Sequence, residues 1–250
     1  MTDRSRVILR ESARVVVLPD TRALIDAVHA ELRGLATRTI ADRKSFSIAL
    51  SGGSTPAELY RRLAEPGKGL PWHDVQVFFG DERHVPPSHP DSNYRMAHET
   101  MLRAAAVPPE RVHRIEAELP SQEAAQRYED EVKRTLAPQG GTPRFDLVLL
   151  GIGEDAHTAS LFPHTKMLHE QDRLIVAGRV PKLDADRITI TYPVIHAAEN
   201  VWMLVAGEAK AKAVARALDG EEPIEDAPAR GIGPATWWLD EAAAADLKAD

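Results

Sequence analysis

The sequence predicts an α/β fold with a mostly parallel, Rossmann-like sheet covered by helices on both faces. Three observations carry that expectation. Short apolar runs alternate with helical patterns along the whole chain, as they do where helices cross over between parallel strands. The run "FDLVLLG" ending at Gly151 is apolar without alternation, which suits a strand buried on both faces. Residues suited to chemistry follow three of the predicted strands directly, and ligands of open α/β sheets bind at such carboxyl ends.

Taken in order, "RVVVLP" is a β-branched strand, and Asp20 is placed to cap a long helix with Leu24, Val28 and Leu35 on its buried stripe. "FSIALS" reads as a strand and "TPAELYRRLAE" as a helix with Pro56 in its first turn. "DVQVFFG" is the next strand; "DSNYRMAHETMLRAA" and "SQEAAQRYEDEVKRTL" read as helices. After "FDLVLLG" come strands in "DRITITY" and "NVWMLVAG", a helix in "EAKAKAVARAL", the strand "TWWLD" and an alanine-rich terminal helix. The Pro/Gly-rich passages at Ala64–Pro71, Pro86–Pro90, Ala137–Pro143 and Gly220–Pro234 read as surface loops too short to be interdomain linkers. A single domain over residues 1–250 is therefore expected, with no internal repeat.

Composition removes several functional classes. The net charge of −7 disfavours an electrostatic nucleic-acid binder, although a local basic pocket for a small anion fits inside an acidic protein. With no cysteine, disulfides, thiolate metal sites and cysteine nucleophiles are excluded. The stretch "MTDRSRVILRESARVVV" has acids among its bases and no apolar core of signal-peptide length. No run approaches the roughly 18 consecutive apolar residues of a membrane helix. A cytoplasmic protein without membrane or nucleic-acid partners is expected; monomer and weak homo-oligomer both stay open.

The first strand end reads "SGGSTPAEL". Gly53 allows a tight turn, and Ser54, Thr55 and the following helix N-terminus could hold an anion; equally, Ser54 or Thr55 could simply cap the helix. The stretch lacks the Gly-Lys-Ser/Thr of a P-loop and the Gly-x-Ser-x-Gly of a serine hydrolase. The second reads "GDERHVPPSHPDSNYR", with Asp81, Glu82 and Arg83 crowded together. Arg83 could grip phosphate or carboxylate with two parallel bonds, or form a surface ion pair with a neighbouring acid. His84 and His89 match no metal-ligand spacing and read as loop histidines. The third reads "GIGEDAHTASLFP". There Asp155 and His157 follow a glycine turn, and His157 is either a general base or a packed helix-capping residue. Lys210 opens a helix close to Gly207, placing it nearer a strand-end crevice than Lys212, which reads as solvated.

The ordered set "SGGSTP", "FFGDERHVPPSHPDSNYRMA", "GIGEDAHTASLFP", "RITITYPVI" and "VAGEAKAKA", spanning Ser51 to Lys212, resembles the 6-phosphogluconolactonase family, and "TWWLDEAAAADL" resembles its C-terminal segment. That family shares an α/β superfamily with glucosamine-6-phosphate deaminase. The resemblance implies hydrolysis of 6-phospho-D-glucono-1,5-lactone to 6-phosphogluconate, a reaction whose chemistry needs no metal or organic cofactor. It implies His157 as the catalytic histidine; the chemistry of ester opening adds Asp155 or Asp81 as the group expected to orient the imidazole. It also implies Gly53, Ser54, Thr55, Arg83, Arg187 and Lys210 as substrate contacts. The family usually carries Asp-Gly-His where this chain has Asp155-Ala156-His157, and commonly a proline where Glu154 stands; if the glycine needs a positive φ, alanine strains the loop. Two other readings are kept: a glucosamine-6-phosphate deaminase, disfavoured because "TASLFP" lacks that enzyme's acid, and a non-catalytic sugar-phosphate sensor, which would have no need of His157.

Overall fold

The computed structural model describes residues 5–248, so the expected domain of 1–250 extends past the described residues at both ends. β1 (Arg6–Arg10) and β2 (Ala13–Leu18) form a hairpin, and α1 (Thr21–Arg43) follows. Asp20 does cap α1, accepting the Ala23 amide at 2.8 Å. Next come β3 (Phe46–Leu50), α2 (Ser54–Ala64), β4 (Val75–Phe79) and the three-residue β5 (Asp81–Arg83). α3 (Asn93–Ala97) and α4 (Ser121–Leu136) lead to β6 (Leu147–Leu150), β7 (Ile175–Val180) and β8 (Ala185–Ile190). The chain continues through α5 (Tyr192–Ala197), β9 (Val201–Val205), α6 (Ala211–Asp219) and β10 (Ala235–Asp240).

Seven strands form one sheet in the order β1-β2-β10-β9-β6-β3-β4, flanked by helices; every pairing except β1 with β2 is parallel. β3, β6 and β9 are buried throughout, as strands covered on both faces must be. The core of this sheet includes Phe46, Phe78, Phe145 and Trp237.

Three expectations are corrected. "DRITITY" supplies β8, but β8 is the middle strand of a separate antiparallel sheet, β5-β8-β7, instead of a member of the main one. The helix expected from Asp91 stops at Ala97 and widens into a π-helical turn over His98–Leu102 that buries Met101 and Leu102. The alanine-rich stretch after Asp240 forms turns, not a helix. There Asp240 takes the Ala243 amide at 2.8 Å and the Gly207 amide at 3.0 Å, while Ala243 and Ala244 are buried. Tertiary contacts override alanine's helix preference there.

Two tyrosines fasten the ends of adjacent strands. The Tyr60 hydroxyl, from α2, donates to the Ser51 carbonyl (2.8 Å) and accepts the Ser51 amide (2.9 Å). The Tyr128 hydroxyl, from α4, does the same for Phe79 at 2.9 and 2.8 Å. Gly80 then joins the two sheets: its amide donates to Leu50 of β3 and its carbonyl accepts from Ile190 of β8.

Candidate active site

Because β9, β6, β3 and β4 are parallel neighbours, their carboxyl ends share one rim. The segments leaving that rim enclose a cavity of about 260 Å³ lined by Gly53, Ser54, Thr55, Asp81, His157 and Lys210 among others. An adjoining cavity of about 480 Å³ shares Asp81, Arg83, His157 and Lys210 and adds Asp155 and Arg187. All nine residues expected at the site therefore line one continuous cleft.

At the end of β3, Gly53 has φ +105° and occupies the N-cap position of α2, with no side-chain cap. Neither Ser54 nor Thr55 caps the helix, so the capping alternative does not describe this loop. The helix N-terminus adds unpaired amides and partial positive charge at the cavity wall. Gly52 admits the close approach of Asn93, whose Oδ1 a Cβ at position 52 would overlap.

At the end of β4 the three consecutive charged residues diverge. Asp81 is buried, accepting from the Ser160 hydroxyl at 2.6 Å and the Asn93 amide group at 3.2 Å. Glu82 is also buried and takes the backbone amides of Arg83, Asn93 and Tyr94 and the Ser92 hydroxyl at 2.7–3.0 Å, which makes it a structural anchor for α3. Burial raises its pKa, opposed by those amides. Arg83 pairs in register with Arg187 across β5 and β8. Arg83 donates to the Asp91 carbonyl (2.8 Å) and Arg187 to the Asp186 carbonyl (3.0 Å); among the described residues neither they nor Lys210 hold a carboxylate in an ion pair. The surface ion pair considered for Arg83 is thus not formed. Like charges directly opposite on a sheet repel. Burial, then the Arg83 charge, lowers the Arg187 pKa. An anion bound between the two guanidinium groups would relieve that repulsion.

At the end of β6, His157 Nδ1 lies 2.5 Å from Asp155 Oδ1, and its ring stacks on Phe162 with centroids 3.9 Å apart. A Cβ at Gly153 would overlap the imidazole, so only glycine admits this ring position. The His157 bond holds the Asp155 carboxyl well below the usual carboxylate range; burial opposes this and Lys182, at 2.9 Å from Oδ2, reinforces it. An ionised carboxylate accepts only, so Nδ1 donates to it and Nε2 is the basic nitrogen of the neutral ring. Ala156 is fully buried at φ +64°, the left-handed conformation that favours glycine. Beyond β9, Gly207 at φ +93° turns the chain into the short helix Glu208–Lys210, which brings Lys210 to the cleft.

A family model described as "Glucosamine-6-phosphate isomerases/6-phosphogluconolactonase" matches residues 19–239. The chain belongs to this family. It is 43% identical to a 6-phosphogluconolactonase of Nostoc sp. over 93% of this chain and 98% of the relative. It is 41% identical to one of Synechocystis sp. over 94% and 98%. The solved 6-phosphogluconolactonase of Trypanosoma cruzi superposes with a TM-score of 0.83 at 28% identity, over 96% of this chain and 99% of that one.

Within this family fold, sequence reasoning missed four cleft residues. Asn93 and Ser160 hold Asp81, Phe162 backs the His157 ring, and Lys182 holds Asp155. Ser160 and Phe162 lie in the same quoted motif as His157 and were within reach. Lys182 sits in a hairpin that no motif marks. His84, read as a loop residue, bonds the Leu119 carbonyl at 2.8 Å through Nε2. Among the described residues no helix is long and apolar enough to cross a membrane.

Proposed function

We propose that the chain is a 6-phosphogluconolactonase, hydrolysing 6-phospho-D-glucono-1,5-lactone to 6-phospho-D-gluconate in the oxidative pentose phosphate pathway. The observation that carries this reading is the Asp155–His157 pair lining a cleft whose cations Arg83, Arg187 and Lys210 hold no carboxylate in an ion pair among the described residues. Those cations and the Gly53–Thr55 loop hold the phosphate. Nε2 of His157 takes a proton from water as its oxygen bonds C1. The carbonyl electrons move onto oxygen, giving a tetrahedral oxyanion, which cleft amides or Arg83 stabilise. When the oxyanion collapses, the C1–O5 bond breaks and His157 returns the proton to O5. Asp155 keeps the imidazole in the Nδ1–H form throughout. Asp81, bound by Ser160 and Asn93, shapes the cleft floor. The same reading puts the protein in the cytoplasm.

Lactone hydrolysis measured above the spontaneous rate tests the proposal. Because remote phosphate binding positions the carbonyl, kcat/KM for the phosphorylated lactone should greatly exceed that for unphosphorylated gluconolactone. Equal values for the two lactones would sink the reading. Ammonia release from glucosamine 6-phosphate without lactonase activity would move the chain to the family's deaminase activity.

A further inference from the structure

Lys182 sits at the tip of the β7–β8 hairpin, in the single turn Pro181–Leu183, and Asp184 at φ +48° reverses the chain behind it. Arg179 braces the hairpin through Asp184 and Asp186. From there Lys182 reaches a loop 27 positions earlier in the chain, placing Nζ 2.9 Å from Asp155 Oδ2 while His157 occupies Oδ1. Asp155 thus has one partner on each oxygen. An exposed lysine–carboxylate pair ordinarily contributes little to stability, and the Lys182 side chain is 67% exposed. Its partner, though, is only 21% exposed and bonds the imidazole. Here the pair bears on chemistry more than on folding.

Resting on the lactonase reading above, we propose that Lys182 is a positioning residue for His157, acting through Asp155. It fixes the carboxylate plane so that Oδ1 faces Nδ1. It also offsets part of the Asp155 charge, so the imidazolium formed during attack can release its proton to the departing ring oxygen. The hairpin that carries Lys182 continues into Arg187 on β8, which pairs with Arg83. The anion grip and the tether on the dyad therefore belong to one small sheet. Other charges face the dyad: Glu154 on its own loop, Asp81, Arg83 and Asp91 from β5 and beyond, Arg187 and Lys210, with Arg216 of α6 also within electrostatic reach of Asp155. Of these, none but Lys182 bonds Asp155 in an ion pair among the described residues.

The test uses the full chain with Lys182→Met and Lys182→Arg, following kcat and KM across pH, the dissociation constant for 6-phosphogluconate, and the His157 Nδ1–H proton resonance. That resonance is assigned by its disappearance in His157→Asn. In Lys182→Met we expect kcat at neutral pH to fall about three- to tenfold. The acid limb of its rate profile should move to higher pH, since an unshared Asp155 charge favours the imidazolium. The resonance should broaden through faster exchange, while 6-phosphogluconate affinity stays within about twofold; Lys182→Arg should restore all three. If Lys182→Met does not fold by circular dichroism, Lys182→Gln takes its place. A wild-type rate profile and resonance in the neutral variant would overturn the proposal. So would affinity falling tenfold or more with an unmoved acid limb, because Lys182 would then be a substrate ligand. If the wild-type chain hydrolyses no lactone, the functional reading fails, yet the resonance still decides whether Lys182 positions the dyad.

Discussion

Ala156 shows how magnitudes settle a residue's tolerance. A non-glycine residue in the left-handed region costs about 1–2 kcal/mol. Glycine there would lose a buried methyl, about 0.8 kcal/mol, and add roughly 0.5–1 kcal/mol of backbone entropy cost. The terms nearly cancel. We therefore expect Ala156→Gly to unfold in urea within about 1 kcal/mol of wild type, and Ala156→Val to lose about 2 kcal/mol or more, since a β-branched side chain fits neither the φ nor the packed site. Next door, His157→Asn should fold and bind 6-phosphogluconate but lose about 10²–10⁴-fold in kcat; a folded variant with nearly full kcat would remove His157 from the mechanism. The Asp155 carboxyl, held low by His157, is ionised across the working range. Its contribution to stability is complete above the ordinary carboxylate range and disappears only as pH falls through the depressed value. Mild acidification therefore leaves the Asp155 carboxylate, and with it the bond that orients the imidazole, in place.

At the scale of elements, the two tyrosine clamps decide where β3 and β4 end. Burial pushes both phenol pKa values well above the ordinary value, so each hydroxyl remains a donor. Tyr60→Phe or Tyr128→Phe leaves a buried amide and carbonyl without a partner, at about 2–3 kcal/mol and a Tm lower by roughly 4–10 °C, readable by calorimetry. Tyr60→Phe should also weaken 6-phosphogluconate binding, because Ser51 leads directly into the Gly53–Thr55 loop. Unchanged melting in both variants would mean that the strand ends are held by other contacts. β6 and β9 were legible as short unbroken apolar runs, and β3, β4 and β10 as short runs rich in β-branched and aromatic residues, all bounded by turn residues. The sheet to which β8 belongs was not. Alternation in "DRITITY" signals a strand but carries no information about its partner, and the pairing with β5 joins residues more than a hundred positions apart. The turn after Asp240 was hidden for a related reason: alanine content reports propensity, whereas the Asp240 bonds to Gly207 and Ala243 are long-range or side-chain events.

At the scale of the molecule, an acidic chain gathers at one rim three cations, Arg83, Arg187 and Lys210, that hold no carboxylate among the described residues, so ligand charge should be felt in global stability. At a concentration near 100 times its dissociation constant, 6-phosphogluconate should add about 2.7 kcal/mol. That is a Tm increase of roughly 5–10 °C that shrinks with added salt and with Lys210→Ala. Gluconate at the same concentration should do much less; an equal shift would show that the phosphate is not what the cleft grips. The rim itself was legible, since glycine turns, Arg83, His157 and Lys210 each follow a predicted strand. What the chain does not display is that Arg83 and Arg187 face each other, or that Lys182 arrives from a hairpin tip. Those facts exist only once β5 and β8 have paired. The position of Ala235–Asp240 between β2 and β9 bears on biosynthesis. Synthesis delivers β1, β2 and β9 before the strand that joins them, leaving Val15 and Val17 on one open edge and Trp202 and Leu204 on another. Open apolar edges pair with whatever strand is at hand. A chain truncated before Ala235 should therefore mispair or aggregate, whereas one that includes Asp240 closes both edges with the same six residues.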